Sequence, residues 1–197
     1  MPEFLGLGIK HRPFPVQFAV VCELERVATD QELRRSHKSA QRPLVVLEQA
    51  SIHCVLLRPF DGVTPYRLEM QAQLSVDGHS DLYDFWGAKL ADQLAAETDL
   101  VLDLASKEYS RAVEPHLPPA VRFLTCTFGE LKGGKLVEKG TMCKMARGQM
   151  VRWLAENNVT DPENIKNFAD LDYRFSGTRS TENNYVFIRE REDGYGR

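Results

Sequence analysis

Hydrophobic positions from Leu57 onward follow helix and strand spacings in turn. Between residues 80 and 98 they recur every three or four positions, which predicts an amphipathic helix with Ser80 as its N-cap. Residues 100–106 (LVLDLAS) form an apolar run of strand length, and KEYSRAV begins a helix directly after it with Ser106 at the cap. This first part is therefore predicted to be helix, strand, helix.

The rest of this region is predicted to contain a strand pair, two helices and a closing strand. VRFLTCTF and KLVEKGT flank the glycine turn of GELKGG, which indicates a hairpin. TMCKMARGQMVRWLAENN has helical spacing, and TDPENIKNF opens another helix with Pro162 at its first position. YVFIRE ends the pattern as a strand. Strands alternating with helices predict a single α/β (mixed α+β) domain with one mixed sheet.

Residues 1–56 follow neither spacing cleanly. FAVVCELERVA and PLVVLEQA are short apolar runs that fit either strands or helix fragments. We therefore expect this segment to pack poorly against the rest of the chain.

Composition narrows the class of protein. The chain has 197 residues, of which 43% are hydrophobic and 27% charged, the balance of a soluble globular protein. Its apolar runs are far shorter than the roughly 20 residues of a membrane span, and its N-terminus lacks a secretory signal, so a cytoplasmic location without membrane contact is expected. The net charge of -3 means that any nucleic-acid binding must come from a local basic face.

The cysteines and histidines predict no metal site, cofactor or catalytic residue. The four cysteines form no CxxC pair and the five histidines no HExxH pattern. Buried inert thiols are the expectation, and a redox-sensing thiol is the alternative. For that alternative, Cys143 has the cation Lys144 beside it.

The helix near Met142 carries a candidate phosphate-binding face. At about 100° per residue its core side is predicted to hold Met142, Ala146, Met150, Trp153 and Asn157. Lys144, Arg147, Gly148 and Val151 then face solvent with Arg152 at the flank. Three cations beside a glycine suit a phosphate backbone, and an ordinary solvated face is the alternative.

Two further segments are candidates for a cleft. In ASKEY a strand passes into a helix N-terminus, which places Ser106, Lys107 and Tyr109 for a phosphate or carboxylate unless Ser106 is a simple cap. In TPYRLEM, alternation puts Arg67 and Glu69 on one face, either as a cleft wall or as a structural ion pair.

Six stretches occur in a fixed order: LRPFDGVTPYRLEM, DLYDFWGAKL, DLASKEY, KMARGQMVRW, TDPENIKNF and LDYRFS. Together they closely resemble the YaaA family of peroxide-stress proteins from about Leu57 to Arg189. The resemblance implies a bacterial cytoplasmic protein that helps protect against hydrogen peroxide and iron-linked damage. It also implies a positively charged cleft, with a helix-hairpin-helix-like element around ENNVTDP, that binds double-stranded or structured DNA non-specifically.

Motif positions carry these implied roles onto single residues. The DNA contacts are assigned to Lys144, Arg147, Arg152 and Arg174. The cleft or anion-binding positions are Arg58, Arg67, Glu69, Ser106, Lys107 and Tyr109. An enzyme acting on a small phosphorylated or nucleotide-like substrate is the alternative function.

The N-terminal segment departs from the family pattern. Family members open with an apolar strand ending in Ser-Pro-Ala-Lys, which residues 1–56 do not contain. We therefore expect 1–56 to be an atypical, truncated or frame-disrupted segment and 57–197 to be the YaaA-like domain.

Overall fold

The computed structural model describes residues 19–22 and 69–190, whose strands form one mixed sheet. The strands are β1 (Ala19–Cys22), β2 (Leu100–Leu104), β3 (Arg122–Lys132), β4 (Lys135–Val137), β5 (Tyr173–Phe175) and β6 (Asn184–Arg189). Their order is β1-β2-β3-β6-β5, in which the first four are parallel and β5 runs antiparallel to β6. β4 folds back antiparallel on the end of β3. The predicted mixed α/β fold is confirmed.

Four α-helices and three 3-10 helices accompany these strands in the described ranges. The α-helices are α1 (Leu82–Trp86), α2 (Lys89–Glu97), α3 (Lys107–Ser110) and α4 (Gly140–Glu156). The 3-10 helices are Glu114–His116, Pro162–Asn167 and Asp170–Asp172. The predicted strand, hairpin and long helix between residues 100 and 158 are therefore all present.

The helix predicted over residues 80–98 is two helices, because the chain breaks at Gly87. Gly87 has φ +47, a left-handed conformation that glycine adopts at little cost and that ends α1. The N-cap is Asp81, whose carboxylate accepts from the Asp84 amide, and not Ser80 as predicted. The Ser80 amide donates instead to the Asp84 carboxylate. Together these two bonds satisfy the Asp84 and Ser80 amides at the start of the helix.

The segment TDPENIKNF forms the 3-10 helix Pro162–Asn167 and not the predicted α-helix. Asp161 caps it by accepting from the Glu163 amide at 2.9 Å, and Pro162 follows at the first position. A 3-10 helix tightens its turn and is stable only over a few residues. The helix pair expected around ENNVTDP therefore has an α-helix on one side only.

The larger core lies between α4 and one face of the sheet. Its sheet residues alternate along the strands, with Leu102 and Leu124 as central members. α4 contributes Cys143, Ala146, Met150 and Leu154 to this core. Phe128 stacks on Phe187 and meets Phe168 and Tyr173 edge to face. These contacts fix α4 to the face of the sheet on which Leu102 lies.

A smaller core covers the opposite face of β2. It contains Leu90 and Leu94 of α2 with Val101, Ala105 and Tyr109. All five residues of β2 are buried. A strand buried on both faces is typical of a parallel sheet with helices on each side.

The N-terminal segment contributes β1 to the sheet. Ala19 to Cys22 pair in parallel with Val101 to Leu104 along the whole of β1. The expectation that residues 1–56 pack poorly was therefore wrong for 19–22. The domain boundary expected at Leu57 lies outside the described residues.

Candidate functional site

The orientation of α4 decides which of its cations face solvent. Its buried residues are Cys143, Ala146, Met150 and Leu154. The predicted core side was rotated, since Met142 is only half-buried and Asn157 is exposed. Ala146 and Met150 fit both orientations, so the apolar pattern alone did not distinguish them. The predicted outward placement of Arg147 was wrong, because only 15% of its side chain is exposed.

Lys144, Gly148 and Arg152 form a line along the exposed side of α4, which we call the outer stripe. Residues four apart lie on one side of a helix, and the rise per residue places its ends about 12 Å apart. A Cβ added at Gly148 would meet nothing within 4 Å, so a partner can approach the helix backbone there. Arg152 Nε donates to Glu156 Oε1 at 2.8 Å, which leaves its guanidinium on the surface. The stripe is thus two exposed cations on either side of an open glycine.

Arg147 turns away from the stripe toward the sheet. Its Nη2 lies 3.6 Å from Glu138 Oε2, longer than a hydrogen bond. Its Nε is buried without a hydrogen-bond partner in the part of the chain that the structure describes. Burial raises the pKa of Asp103 and Tyr173, and the charge of Arg147 opposes both rises. Arg147 therefore belongs electrostatically to the interior of the fold.

An ion-pair cluster around the buried Glu130 joins the ends of β3 and β6 to the start of α4. Glu130 is buried, and its Oε2 lies 2.7 Å from Lys139 Nζ. Arg189 approaches both Glu130 and Asp172, at 3.6 and 3.7 Å. Two cations and two carboxylates balance in this edge cluster. Such balance is typical of a structural network, because one unpaired buried charge is strongly destabilising.

Burial makes two thiols and one phenol poorly reactive at neutral pH, namely those of Cys126, Cys143 and Tyr173. Cys143 is buried, and its Sγ donates to the Phe128 carbonyl at 3.0 Å. Burial raises the pKa of Cys143 and also of Cys126. Burial likewise raises the pKa of Tyr173 to about 12. Since the thiolate is the reactive form, Cys143 lacks the features of a redox sensor despite its neighbour Lys144.

Asp103, near the end of β2, places a buried carboxyl group two residues before the ASKEY segment. Asp103 is 3% exposed and accepts from the Ala105 amide at 3.0 Å and from Ser110 Oγ at 2.8 Å. Thr125 Oγ1 donates to it at 3.3 Å. Burial raises its pKa to about 6, with these hydrogen bonds and Arg147 opposing the rise. Sequence reasoning missed Asp103, although an acidic residue inside LVLDL was the available signal.

The three residues predicted to bind an anion after β2 take different positions. Ser106 is the N-cap of α3, but its side chain makes no capping hydrogen bond. Lys107 is exposed, whereas Tyr109 is buried in the smaller core. Tyr109 therefore packs in the interior, and its predicted contact with an anion stays a prediction.

The first motif block lies against the ASKEY segment. The Gln71 amide donates to Glu108 Oε1 at 3.2 Å, and Met70 packs on the smaller core. Glu69 is exposed. Arg58 and Arg67 lie outside the described residues, so the arrangement of Arg67 and Glu69 as a cleft wall or an ion pair stays a prediction.

Arg174, the fourth predicted DNA contact, is exposed but bonded to the backbone. Its Nη1 donates to the carbonyl oxygens of Ala169 and Tyr173 at 2.7 and 2.9 Å. It closes the turn before β5 and is remote in sequence from the stripe. Its contribution to DNA binding stays a prediction.

Within residues 69–190, whose side chains the structure describes, no three metal-binding side chains lie together. No helix in this range is long and apolar enough to cross a membrane.

Comparison with known proteins places this arrangement in a family. Residues 40–179 match the family model of the peroxide stress protein YaaA. The chain belongs to this family. The match begins upstream of the quoted motifs and covers β2 to α4 entirely.

Curated relatives show similarity in sequence as well. A UPF0246 protein of Lachnoclostridium phytofermentans is 48% identical over 134 residues, which are 68% of this chain and 52% of the relative. One of Desulfitobacterium hafniense is 46% identical over 134 residues, 68% of this chain and 53% of the relative. One of Pediococcus pentosaceus is 40% identical over 185 residues, 93% of this chain and 72% of the relative. The chain spans about half the length of most of these relatives.

Proposed function

We propose that this chain serves the peroxide stress response of its family by binding DNA non-specifically through the outer stripe of α4. The observation that supports the proposal is the placement of Lys144 and Arg152 on one exposed line with the open Gly148 between them. Arg147, whose side chain is largely buried, is not part of the proposed contact.

The spacing of the stripe fits a phosphate backbone. Duplex DNA carries one charge per roughly 1.7 Å of its axis, so the 12 Å stripe faces about seven phosphate charges on the two strands. Each cation that neutralises a phosphate adds about 0.9 to the slope of log affinity against log salt. The stripe should therefore contribute about 1.8 to that slope, with no preference for base sequence.

The test is a fluorescence anisotropy titration of a labelled duplex between 50 and 300 mM salt, with the full chain. Lys144→Ala/Arg152→Ala should lower the slope by about 1.8 and weaken binding to all duplexes alike. The matched control is Lys89→Ala/Arg111→Ala, which removes two exposed cations beside the smaller core, neither of which has a proposed binding role. Equal slopes for both double variants would remove the stripe from the site, and a folded wild type that binds no duplex would refute the proposal.

A second candidate function is binding of a small phosphorylated or nucleotide-like substrate near the end of β2. Asp103 supports it, because a buried carboxyl group with a pKa raised to about 6 in a family motif is typical of functional sites. Nucleoside triphosphates should then raise the thermal midpoint of the wild type and not that of Asp103→Asn. The absence of any nucleotide effect on the wild type would leave Asp103 with a structural role.

A further inference from the structure

The turn between β3 and β4 is an open tip made of two glycines. Lys132 pairs with Lys135 across the hairpin, and Gly133 and Gly134 have φ +55 and +77. Two left-handed residues in a two-residue loop are typical of a type I′ turn. A Cβ added at either glycine would meet nothing within 4 Å. The tip therefore carries no side chain of its own, and the space beside both glycines is open.

Three cations surround this tip. Lys132 and Lys135 are exposed, and Arg179 Nη2 donates to the Gly134 carbonyl at 2.9 Å from a distant part of the sequence. The two acidic residues of the hairpin region already face other cations, Glu130 facing Lys139 and Glu138 facing Arg147. The tip thus carries a local charge of about +3 on a protein whose net charge is -3.

The base of the hairpin is tightly packed. A Cβ at Gly129 would lie 2.8 Å from Leu136 Cδ1 and 3.1 Å from the Val137 carbonyl oxygen. Only glycine accepts so close an approach of β4. With Arg179 bonded at the other end, both ends of the hairpin are held in place. A fixed arm binds without the entropy cost of ordering a loop.

We propose that Lys132, Lys135 and Arg179 form a second DNA contact, in which the glycine tip approaches the duplex and the three cations bind its phosphates. The inference rests on the proposed DNA binding and adds a contact element from another part of the fold. A two-stranded ribbon fits the major groove, and a tip without side chains offers nothing to read base edges. The contact should therefore be independent of sequence, in keeping with non-specific binding.

The test uses the full chain and the same salt titration. Lys132→Ala/Lys135→Ala should lower the log–log slope by about 1.8, equivalent to roughly 60-fold weaker binding at 0.1 M salt. Lys132→Arg/Lys135→Arg keeps both charges and should bind like the wild type. Lys89→Ala/Arg111→Ala again controls for net charge. Both lysines of the tip are exposed, so far-UV circular dichroism should show an unchanged fold.

The outcomes separate the two proposals. If the outer-stripe variant lowers the slope and the hairpin variant does not, the hairpin inference is overturned and DNA binding stands. If the wild type binds no duplex, both proposals fail. Arg179→Ala is an independent test, because Arg179 lies outside the hairpin. This variant should lower the slope of log affinity against log salt by about 0.9.

Discussion

Replacing Asp103 with asparagine should remove a pH dependence from the stability of this protein. Burial raises the pKa of Asp103 from 3.8 to about 6. In the folded state the neutral carboxyl group is therefore favoured over the carboxylate. Its contribution to stability is fully present below about pH 3.8 and is lost as the pH rises through about 6.

The size of the loss follows from the shift. Each pKa unit corresponds to about 1.4 kcal/mol, so a shift of about two units amounts to roughly 3 kcal/mol at neutral pH. Asparagine has the same shape and stays neutral. Its Oδ1 can accept from the Ala105 amide and Ser110 Oγ as Asp103 Oδ1 does, and its Nδ2 can donate to Thr125 Oγ1. The variant should thus match the wild type near pH 4 and exceed its free energy of unfolding by up to about 3 kcal/mol at pH 7.5.

Urea unfolding at pH 4, 6 and 7.5 measures this difference. Fluorescence of Trp86 and Trp153 reports the transition, since both are partly buried against the two cores. Asp92→Asn, at an exposed position of α2, is the control for loss of one carboxylate. If the difference between Asp103→Asn and wild type stays constant across this pH range, the carboxyl group does not titrate as argued and the reasoning is refuted.

Two further substitutions test the interior of the charged region. Arg147→Ala should lower the free energy of unfolding by about 1–3 kcal/mol, because it removes a packed side chain. The control Lys144→Ala removes an exposed side chain and should change the free energy of unfolding by no more than about 0.5 kcal/mol. Equal urea midpoints for the two variants would contradict the inward orientation of Arg147. Lys139→Ala should lower the free energy of unfolding by about 3–5 kcal/mol, because the buried Glu130 then has only the more distant Arg189 beside it. Adding Glu130→Gln to this variant should recover part of the lost thermal midpoint. A midpoint unchanged by Lys139→Ala would show that Glu130 is adequately solvated.

Local patterns were enough to predict the elements around β2 and the hairpin. An apolar run bounded by polar residues fixed β2, and the glycine pair between two strand-like runs fixed the turn at Gly133 and Gly134. In each case the signal lies in adjacent residues. Such signals do not depend on which face of the sheet a helix covers.

Orientation and chain breaks depended on contacts that the sequence does not display. Arg147 looked like a surface cation, but its aliphatic stem can cover apolar surface while its head meets Glu138. Gly87 fitted a continuous helix at the cost of about 1 kcal/mol, yet its left-handed conformation ends α1. Both errors came from treating a periodic pattern as sufficient where tertiary packing decided the outcome.

The two buried acidic sites differ in a way that bears on function. Glu130 meets Lys139 at hydrogen-bond distance, so its charge is compensated and its role is explained by holding β3 to α4. Asp103 is held by neutral donors, with the charge of Arg147 acting as a weaker influence. At neutral pH an ionised carboxyl group at this position is less stabilising than asparagine, which would make the same hydrogen bonds. Asp103 is therefore the stronger candidate for a role that needs a titrating group, and a stability gain in Asp103→Asn accompanied by lost ligand binding would be the signature of that role.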